Sequence, residues 1–233
     1  PLYDPCCGSG TIVIEAAQLL LGLPAGGQRR FAFERLGPFD AATWNAIKKE
    51  AAGARPASAA GQNDPQSPGV RIFGSDVAHR MVDFAQRNAQ RAGVAHAVQL
   101  RGGDALQRLP PCATPGVLLM NPPYGERIAA AGVAGQPARG REAFQSGTLA
   151  RGRAAGGATA AADVNAGDEF FTRLAAHWKS HYAGWSAWLL TPDSKLPGRL
   201  RLKESRRVPL WNGPIECRLL RFDLTARRGP AAP

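Results

Sequence analysis

The chain of 233 residues is 44% hydrophobic, which suits one globular domain with a buried core and argues against extended disorder. It carries 29 Lys and Arg against 18 Asp and Glu, a formal net charge of +11 at pH 7. Such an excess favours a polyanionic partner, nucleic acid first and an acidic membrane surface second. A merely solvated basic surface is the alternative interpretation.

Four cysteines, Cys6, Cys7, Cys112 and Cys217, form no CxxC pair and have no histidine at metal spacing, so reduced thiols and no metal site are expected. No apolar run reaches the roughly 18–20 residues that span a bilayer, and no signal-peptide pattern is present. We therefore expect a cytoplasmic protein with no membrane contact. Residues 1–4 already resemble a strand entering a glycine-rich turn, which indicates a fragment lacking an N-terminal portion.

Apolar periodicity and turn residues predict alternating strands and helices along the chain. Strands are expected over 1–4, 70–73, 97–100, 116–120, 185–190, 206–210 and 217–224, with helices over 11–21, 41–52, 81–92 and 169–181. Trp44 and Ile47 are expected to face inward from the second helix. This alternation is typical of an α/β fold with a mostly parallel, doubly wound sheet.

Two segments interrupt this pattern. Residues 53–69 contain three prolines and predict a loop. More than half of residues 129–167 are Ala or Gly, which predicts a flexible insertion inside one domain over 1–233, and not a domain boundary.

Chemistry is expected where strands end, because ligands of open α/β sheets bind beyond the carboxyl ends of the strands. The first strand runs into a glycine-rich turn over 4–11, whose glycines let the backbone approach a ligand closely. A dinucleotide fingerprint would need a small residue where Val13 stands, and a P-loop would need a lysine. The turn therefore predicts a cofactor without a pyrophosphate.

Acidic residues follow the next two strands. Asp76 can accept both hydroxyls of a ribose, or it can cap the following helix from Val77 onward. Asp104 can accept a hydrogen bond from an adenine amino group, and again a capping role is the alternative.

The segment Asn121-Pro122-Pro123-Tyr124-Gly125 follows the fourth strand. The prolines fix the backbone and remove donors, which leaves the Asn121 side-chain carbonyl and the Pro122 backbone carbonyl as acceptors. Tyr124 adds a flat face for stacking. Two acceptors and a stacking face suit a conjugated amino group, whose nitrogen lone pair becomes available for attack on a methyl sulfonium when both N–H bonds are held.

The turn over 4–11, the following residues 14–17, Gly74-Ser75-Asp76 and residues 121–127 together resemble the THUMP-linked class I methyltransferases. Within that family, the chain is most similar to the first catalytic domain of bacterial large-subunit rRNA guanine-N2 methyltransferases, a similarity that residues 212–217 share. The resemblance implies a seven-stranded methyltransferase sheet, S-adenosyl-L-methionine as cofactor, and large-subunit ribosomal RNA as partner. We expect this fragment to lack the family's THUMP region, and the insertion over 129–167 departs from the family pattern.

By this resemblance the glycine-rich turn holds the methionine part of the cofactor, Asp76 its ribose and Asp104 its adenine. The residues expected at the cofactor are Asp4, Pro5, Cys7, Gly8, Ser9, Gly10, Thr11, Asp76, Val77, Asp104, Ala105 and Asn121. The residues expected to hold the target base are Asn121, Pro122, Pro123 and Tyr124.

A late basic segment, from Asp193 to Arg228, holds ten Lys and Arg against four Asp and Glu. It predicts phosphate contacts and stacking of a base on Trp211, or only a charged strand edge.

Guanine N2 methylation of 23S-type rRNA is thus the leading hypothesis for function. Adenine N6 methylation of DNA or RNA, glutamine methylation of protein and an RNA-binding module with a vestigial cofactor pocket are the alternatives, and a nicotinamide dehydrogenase is more distant.

Overall fold

A single sheet organises the chain. The computed structural model describes residues 1–53, 71–122 and 157–225. The strands are β1 (Leu2–Asp4), β2 (Ile72–Asp76), β3 (Val98–Gly102), β4 (Val117–Met120), β5 (Ser186–Thr191), β6 (Arg206–Asn212) and β7 (Ile215–Asp223). Within the described residues they form one seven-stranded sheet in the order β3-β2-β1-β4-β5-β7-β6.

Strands β3, β2, β1, β4 and β5 run parallel, and β7 is antiparallel to both β5 and β6. The order runs outward from β1 to β3 and then restarts at β4, so a topological switch lies between β1 and β4. Switches of this kind place ligands at the carboxyl edge of the sheet. The predicted seven-stranded, mostly parallel α/β fold is confirmed.

The helices lie between the strands in sequence. They are α1 (Thr11–Leu20), α2 (Ala41–Gly53), α3 (His79–Arg91), α4 (Gly157–His181) and α5 (Leu196–Leu200). Short 3-10 turns occur at Ala32–Arg35 and Ala95–Ala97. None of the helices in the described ranges combines the length and apolar character that crossing a bilayer requires.

Each face of the sheet has its own apolar cluster. On one face, buried side chains of α1 and α3, among them Val13 and Ala85, pack with Ile72 of β2. On the other face, α4 buries Leu174 and Trp178 against the central strands. The two clusters thus cover the two faces of the sheet.

Helix α2 departs from its predicted packing. Ile47 is 49% exposed, and no residue of this helix is buried. Trp44 instead meets the rings of Phe31 and Phe33 edge-on, with ring centroids 5.7 and 5.0 Å away. The expectation that Ile47 faces inward is therefore wrong, because this helix packs on a local aromatic cluster and not on the sheet.

Several boundaries also differ from prediction. Helix α4 begins at Gly157, inside the segment predicted as an insertion, and the second strand extends to Asp76, beyond Phe73. Helix α5 was not predicted, because its sequence Leu-Pro-Gly-Arg-Leu contains two poor helix formers. Residues 54–69 of the predicted loop and residues 129–156 of the predicted insertion lie outside the described residues.

Candidate active site at the carboxyl edge

Four predicted polar residues lie in one row at the carboxyl edge of the sheet. Asp4 ends β1 and is level with Gly74 of β2, while Asp76 ends β2. Asn121 directly follows β4, and Asp104 follows β3 by two residues. Because these strands are consecutive neighbours in the sheet, their ends form one continuous site. The structure thus places the described residues of all four motifs at one edge of the sheet.

Backbone hydrogen bonds hold the glycine-rich turn against β2. The N–H of Cys7 donates to the carbonyl of Ser75 over 2.9 Å, and the N–H of Gly8 donates to the Asp76 carboxylate over 3.0 Å. Gly10 closes the turn by donating to the Cys7 carbonyl over 2.8 Å. The turn is therefore preorganised by the neighbouring strand.

Glycine is required at two points of this turn. Gly10 has φ of 91°, and a Cβ there would lie 3.0 Å from the Cβ of Ala85, so close packing against α3 excludes a side chain. Gly8 has φ of 52°, but no atom of the described residues lies within 4 Å of where its Cβ would be. At Gly8 the backbone thus faces open space that a ligand can approach closely.

Asp4 is the most buried carboxyl group of the site, with 1% exposure. Burial raises its pKa to about 7, while the N–H of Cys6 opposes the rise and the nearby Asp76 carboxylate adds to it. The Cys6 N–H donates to Asp4 Oδ1 over 3.0 Å. A carboxylate held here at neutral pH is a strong attractor for a cationic ligand, since few other groups screen it.

Asp76 joins the turn to helix α3. Its Oδ2 accepts the Gly8 N–H, and its Oδ1 accepts the N–H of Ala78 over 2.9 Å. Each carboxylate oxygen retains a second lone pair, so accepting ribose hydroxyls is compatible with both bonds. The capping and ligand-binding interpretations of Asp76 are therefore not exclusive.

Asp104 carries an acceptor that its neighbours do not use. Oδ1 accepts the N–H of Leu106 over 2.8 Å. Oδ2 is buried and has no hydrogen-bond partner among the described residues. A buried oxygen of this kind is costly unless a ligand donor reaches it.

At the fourth strand end, the Asn121 side chain is exposed at the edge and Pro122 is buried beneath it. Pro123 and Tyr124 lie outside the described residues, so their expected contacts with a base remain predictions.

The other predicted cofactor residues occupy the same edge: Pro5 and Cys7 are buried, Ala105 is buried with 7% exposure, Val77 is half-buried, and Ser9 and Thr11 are exposed at the start of α1.

Two supporting contacts were missed at the sequence level. The Tyr3 and Ser75 hydroxyls are hydrogen-bonded over 2.6 Å beneath the turn. The side-chain amide of Asn88 donates to the Ser9 carbonyl over 2.9 Å. Polar residues on an otherwise apolar strand and helix face, as Ser75 and Asn88 are, were the available signal.

The two cysteines of the turn are not suited to nucleophilic catalysis. Burial, followed by the Asp4 and Asp76 carboxylates, raises the pKa of both Cys6 and Cys7 above the ordinary thiol value. A thiol needs a lowered pKa to react as thiolate at neutral pH. The site therefore favours chemistry by positioning and electrostatics over a covalent enzyme intermediate.

Solved structures share this architecture. SMU.472, a candidate methyltransferase crystallised with SAH, is 26% identical, has a TM-score of 0.68, and is matched over 98% of this chain and 48% of that one. A possible methylase from Clostridium difficile 630 is 24% identical with a TM-score of 0.68, over 100% of this chain and 48% of that one, which supports the fold alone.

Curated relatives are named ribosomal RNA large subunit methyltransferase K/L. The protein of Psychromonas ingrahamii is 31% identical over 97% of this chain and 25% of its own length. That of Shewanella sp. (strain ANA-3) is 33% identical over 97% of this chain and 26% of its own length. The chain thus spans about a quarter of the curated relatives it matches.

A family model described as RMKL-like, methyltransferase domain matches residues 1–136, more than half of the chain. That range contains the row of strand ends formed by Asp4, Asp76, Asp104 and Asn121. The chain belongs to the RMKL-like methyltransferase domain family.

Proposed function

We propose that this chain is the catalytic domain of an S-adenosyl-L-methionine-dependent methyltransferase that modifies guanine N2 in large-subunit rRNA. One observation carries the proposal. The glycine-rich turn over 4–11 with Asp4, Asp76 and Asp104, here called the cradle, lies at the same sheet edge as the acceptors of Asn121 and Pro122, at neighbouring strand ends. Family membership supports the reaction class, and the names of the relatives support the rRNA substrate. An rRNA substrate in turn assigns the protein to the cytoplasm.

The residues of the cradle fit this cofactor. When bound, S-adenosyl-L-methionine supplies an electrophilic methyl group carried on a sulfonium. Asp4 offers a buried carboxylate to the cationic methionine end, and Asp76 offers lone pairs to the ribose hydroxyls. The unpartnered Oδ2 of Asp104 matches the donor of an adenine amino group. No atom of the described residues occupies the space beside Gly8, which allows close approach of a ligand to the backbone.

The target amine is held by the chain's own carbonyl groups. In this proposal the Asn121 side chain and the Pro122 backbone accept the two N–H bonds of the guanine amino group. Holding both hydrogens draws the nitrogen out of conjugation with the ring and directs its lone pair toward the methyl group. The nitrogen that gains the methyl group releases one of its two protons to solvent, so the product amine is neutral. The catalytic contribution is positioning and electrostatic complementarity.

The target nucleotide must leave its stack before its amino group reaches Asn121. This costs a few kcal/mol in a duplex and less in an unpaired loop. The excess of 29 Lys and Arg over 18 Asp and Glu supports binding of the surrounding phosphates. We therefore expect activity on deproteinised rRNA to exceed activity on fully paired RNA.

Substitution of Asn121 separates cofactor binding from transfer. We expect Asn121→Ala to lower the transfer rate about 100-fold or more, as loss of one well-placed polar group does elsewhere. Cofactor affinity, measured by calorimetry, should remain within a few-fold of the original value. As a matched control, Asn45→Ala changes an exposed asparagine of α2 and should leave both quantities unchanged. Unchanged turnover of Asn121→Ala would contradict the assigned role.

A further inference from the structure

The hairpin of β6 and β7 projects past the sheet edge that carries the candidate site. Strand β7 pairs with β5 up to Arg218, which is level with Thr191 at the carboxyl end of β5. Cys217, Glu216 and Ile215 continue beyond that end, paired with β6. At roughly 3.4 Å per residue, the hairpin tip extends about 10 Å past the edge.

An exposed tryptophan lies on this tip. Trp211 pairs with Glu216 and is 68% exposed, an unusual exposure for so large an aromatic side chain. Alternate residues of a strand point to the same face, so Glu216 shares a face with Leu220 and Phe222, which belong to the core cluster under α4. Directly paired residues on neighbouring strands also share a face. Trp211 therefore lies on the α4 face of the sheet, at the edge where Asn121 lies.

The position of Trp211 relative to Asn121 follows from the strand order. β6 is three strands from β4, and neighbouring strands are about 4.8 Å apart. Together with the projection of the tip, this puts Trp211 on the order of 15–20 Å from Asn121. A few nucleotides of single strand bridge that distance, so Trp211 can reach a base near the target but not the target itself.

One unpaired cation near the tip can contact a phosphate. Between Asp193 and Asp223 all four carboxylates form ion pairs with arginines, namely Arg199–Asp193, Arg207–Glu204, Arg218–Glu216 and Arg221–Asp223. Among the described residues, the remaining cations Lys195, Arg201, Lys203 and Arg206 form no ion pair. Arg206 pairs with Arg221 at the other end of the hairpin, about 17 Å along β6 from Trp211, and Arg201 and Lys203 precede it, so Lys195 is the unpaired cation on the side of the tip. Lys195 is exposed in the segment just after the carboxyl end of β5.

We propose that Trp211 is a stacking platform for an unpaired RNA base a few nucleotides from the methylated one, with Lys195 contacting a nearby phosphate. An exposed aromatic face with a free cation at the same sheet edge suits single-stranded nucleic acid, since every base has a face that stacks and every linkage carries a phosphate. The inference rests on the proposed rRNA methyltransferase function. It assigns to the β6–β7 hairpin the task of orienting the substrate strand.

The test compares Trp211→Ala with Trp211→Phe, using an unmodified, deproteinised 23S rRNA transcript as probe. Base stacking on an aromatic residue predicts about 5- to 100-fold weaker transcript binding for Trp211→Ala, and partial retention for Trp211→Phe. The KM for the transcript should rise in parallel, while kcat and cofactor affinity stay unchanged. Leu36→Ala, a similarly exposed apolar position at 60% exposure, is the matched control.

Lys195 has a separate readout. Loss of one phosphate contact should weaken transcript binding and reduce the slope of log affinity against log salt by about 1. Trp211→Ala should leave that slope unchanged, because stacking releases no counterions.

Equal transcript binding by Trp211→Ala and the unsubstituted chain would overturn the inference. So would equal losses in Trp211→Ala and Leu36→Ala. Because binding is measured without turnover, these outcomes are distinct from failure of the proposed function, in which the unsubstituted chain binds cofactor yet transfers no methyl group to the transcript.

Discussion

Replacing Asp4 by Asn removes a buried carboxylate while keeping its size and an acceptor for the Cys6 N–H. Asp4 is 1% exposed, and burial raises its pKa from the ordinary value of 3.8 to about 7. The carboxyl group of Asp4 thus binds its proton more tightly in the folded state than in the unfolded chain. The stability that comes from this tighter proton binding is lost as the pH rises from about 4 to 7, and the loss is complete above pH 7.

The size of the effect follows from the pKa difference. Each pKa unit corresponds to 1.36 kcal/mol, so ionising Asp4 in the folded protein costs on the order of 4 kcal/mol above pH 7. Asn avoids this cost. We expect Asp4→Asn to raise the free energy of unfolding by about 2–4 kcal/mol at pH 8, with the gain falling below about 2 kcal/mol at pH 5.

Urea unfolding at the two pH values measures this gain, and calorimetric titration measures cofactor affinity in the same samples. We expect the stabilised variant to bind S-adenosyl-L-methionine at least about tenfold more weakly, because a buried charge opposite a cation is lost. Asp83→Asn, at an exposed position of α3, is the matched control. A variant that is no more stable than the original at pH 8, or whose gain does not depend on pH, would refute the reasoning.

Two further substitutions test the cradle. Gly10→Ala introduces a side chain at φ of 91° and 3.0 Å from the Cβ of Ala85, so we expect a loss of about 1–3 kcal/mol in unfolding free energy, measured in urea. Gly37→Ala is the control, because no described atom lies within 4 Å of the added Cβ, and equal losses would contradict the packing argument. Asp104→Asn replaces the unpartnered Oδ2 by an amide donor. We expect the cofactor affinity, measured by calorimetry, to fall about tenfold, while the free energy of unfolding changes by less than about 1 kcal/mol. Unaltered affinity would remove Asp104 from the adenine site.

Much of the sheet was predictable because its signals are local. The continuous apolar run Val117–Met120 and the mostly apolar segment Ser186–Thr191 are typical of parallel strands. Since ligands bind where such strands end, the shared edge of Asp4, Asp76 and Asn121 followed from chain order alone.

Other features depend on contacts between distant parts of the chain. Nothing local in Ile47 distinguishes a helix packed on the sheet from one packed on Phe31 and Phe33, so its orientation was predicted wrongly. The bond from Gly8 to Asp76 joins residues 68 positions apart, and no periodicity encodes it. The unpartnered oxygen of Asp104 likewise becomes visible only once its neighbours are in place.

The most direct test of the proposed function is transfer of tritiated methyl groups from S-adenosyl-L-methionine to unmodified, deproteinised 23S rRNA, followed by nucleoside analysis. The proposal predicts labelled N2-methylguanosine that disappears with Asn121→Ala. Label recovered as N6-methyladenosine, or incorporated only into DNA or protein amide, would contradict the assigned substrate. Saturable cofactor binding without any transfer would contradict the proposed catalytic role and favour an RNA-binding module instead.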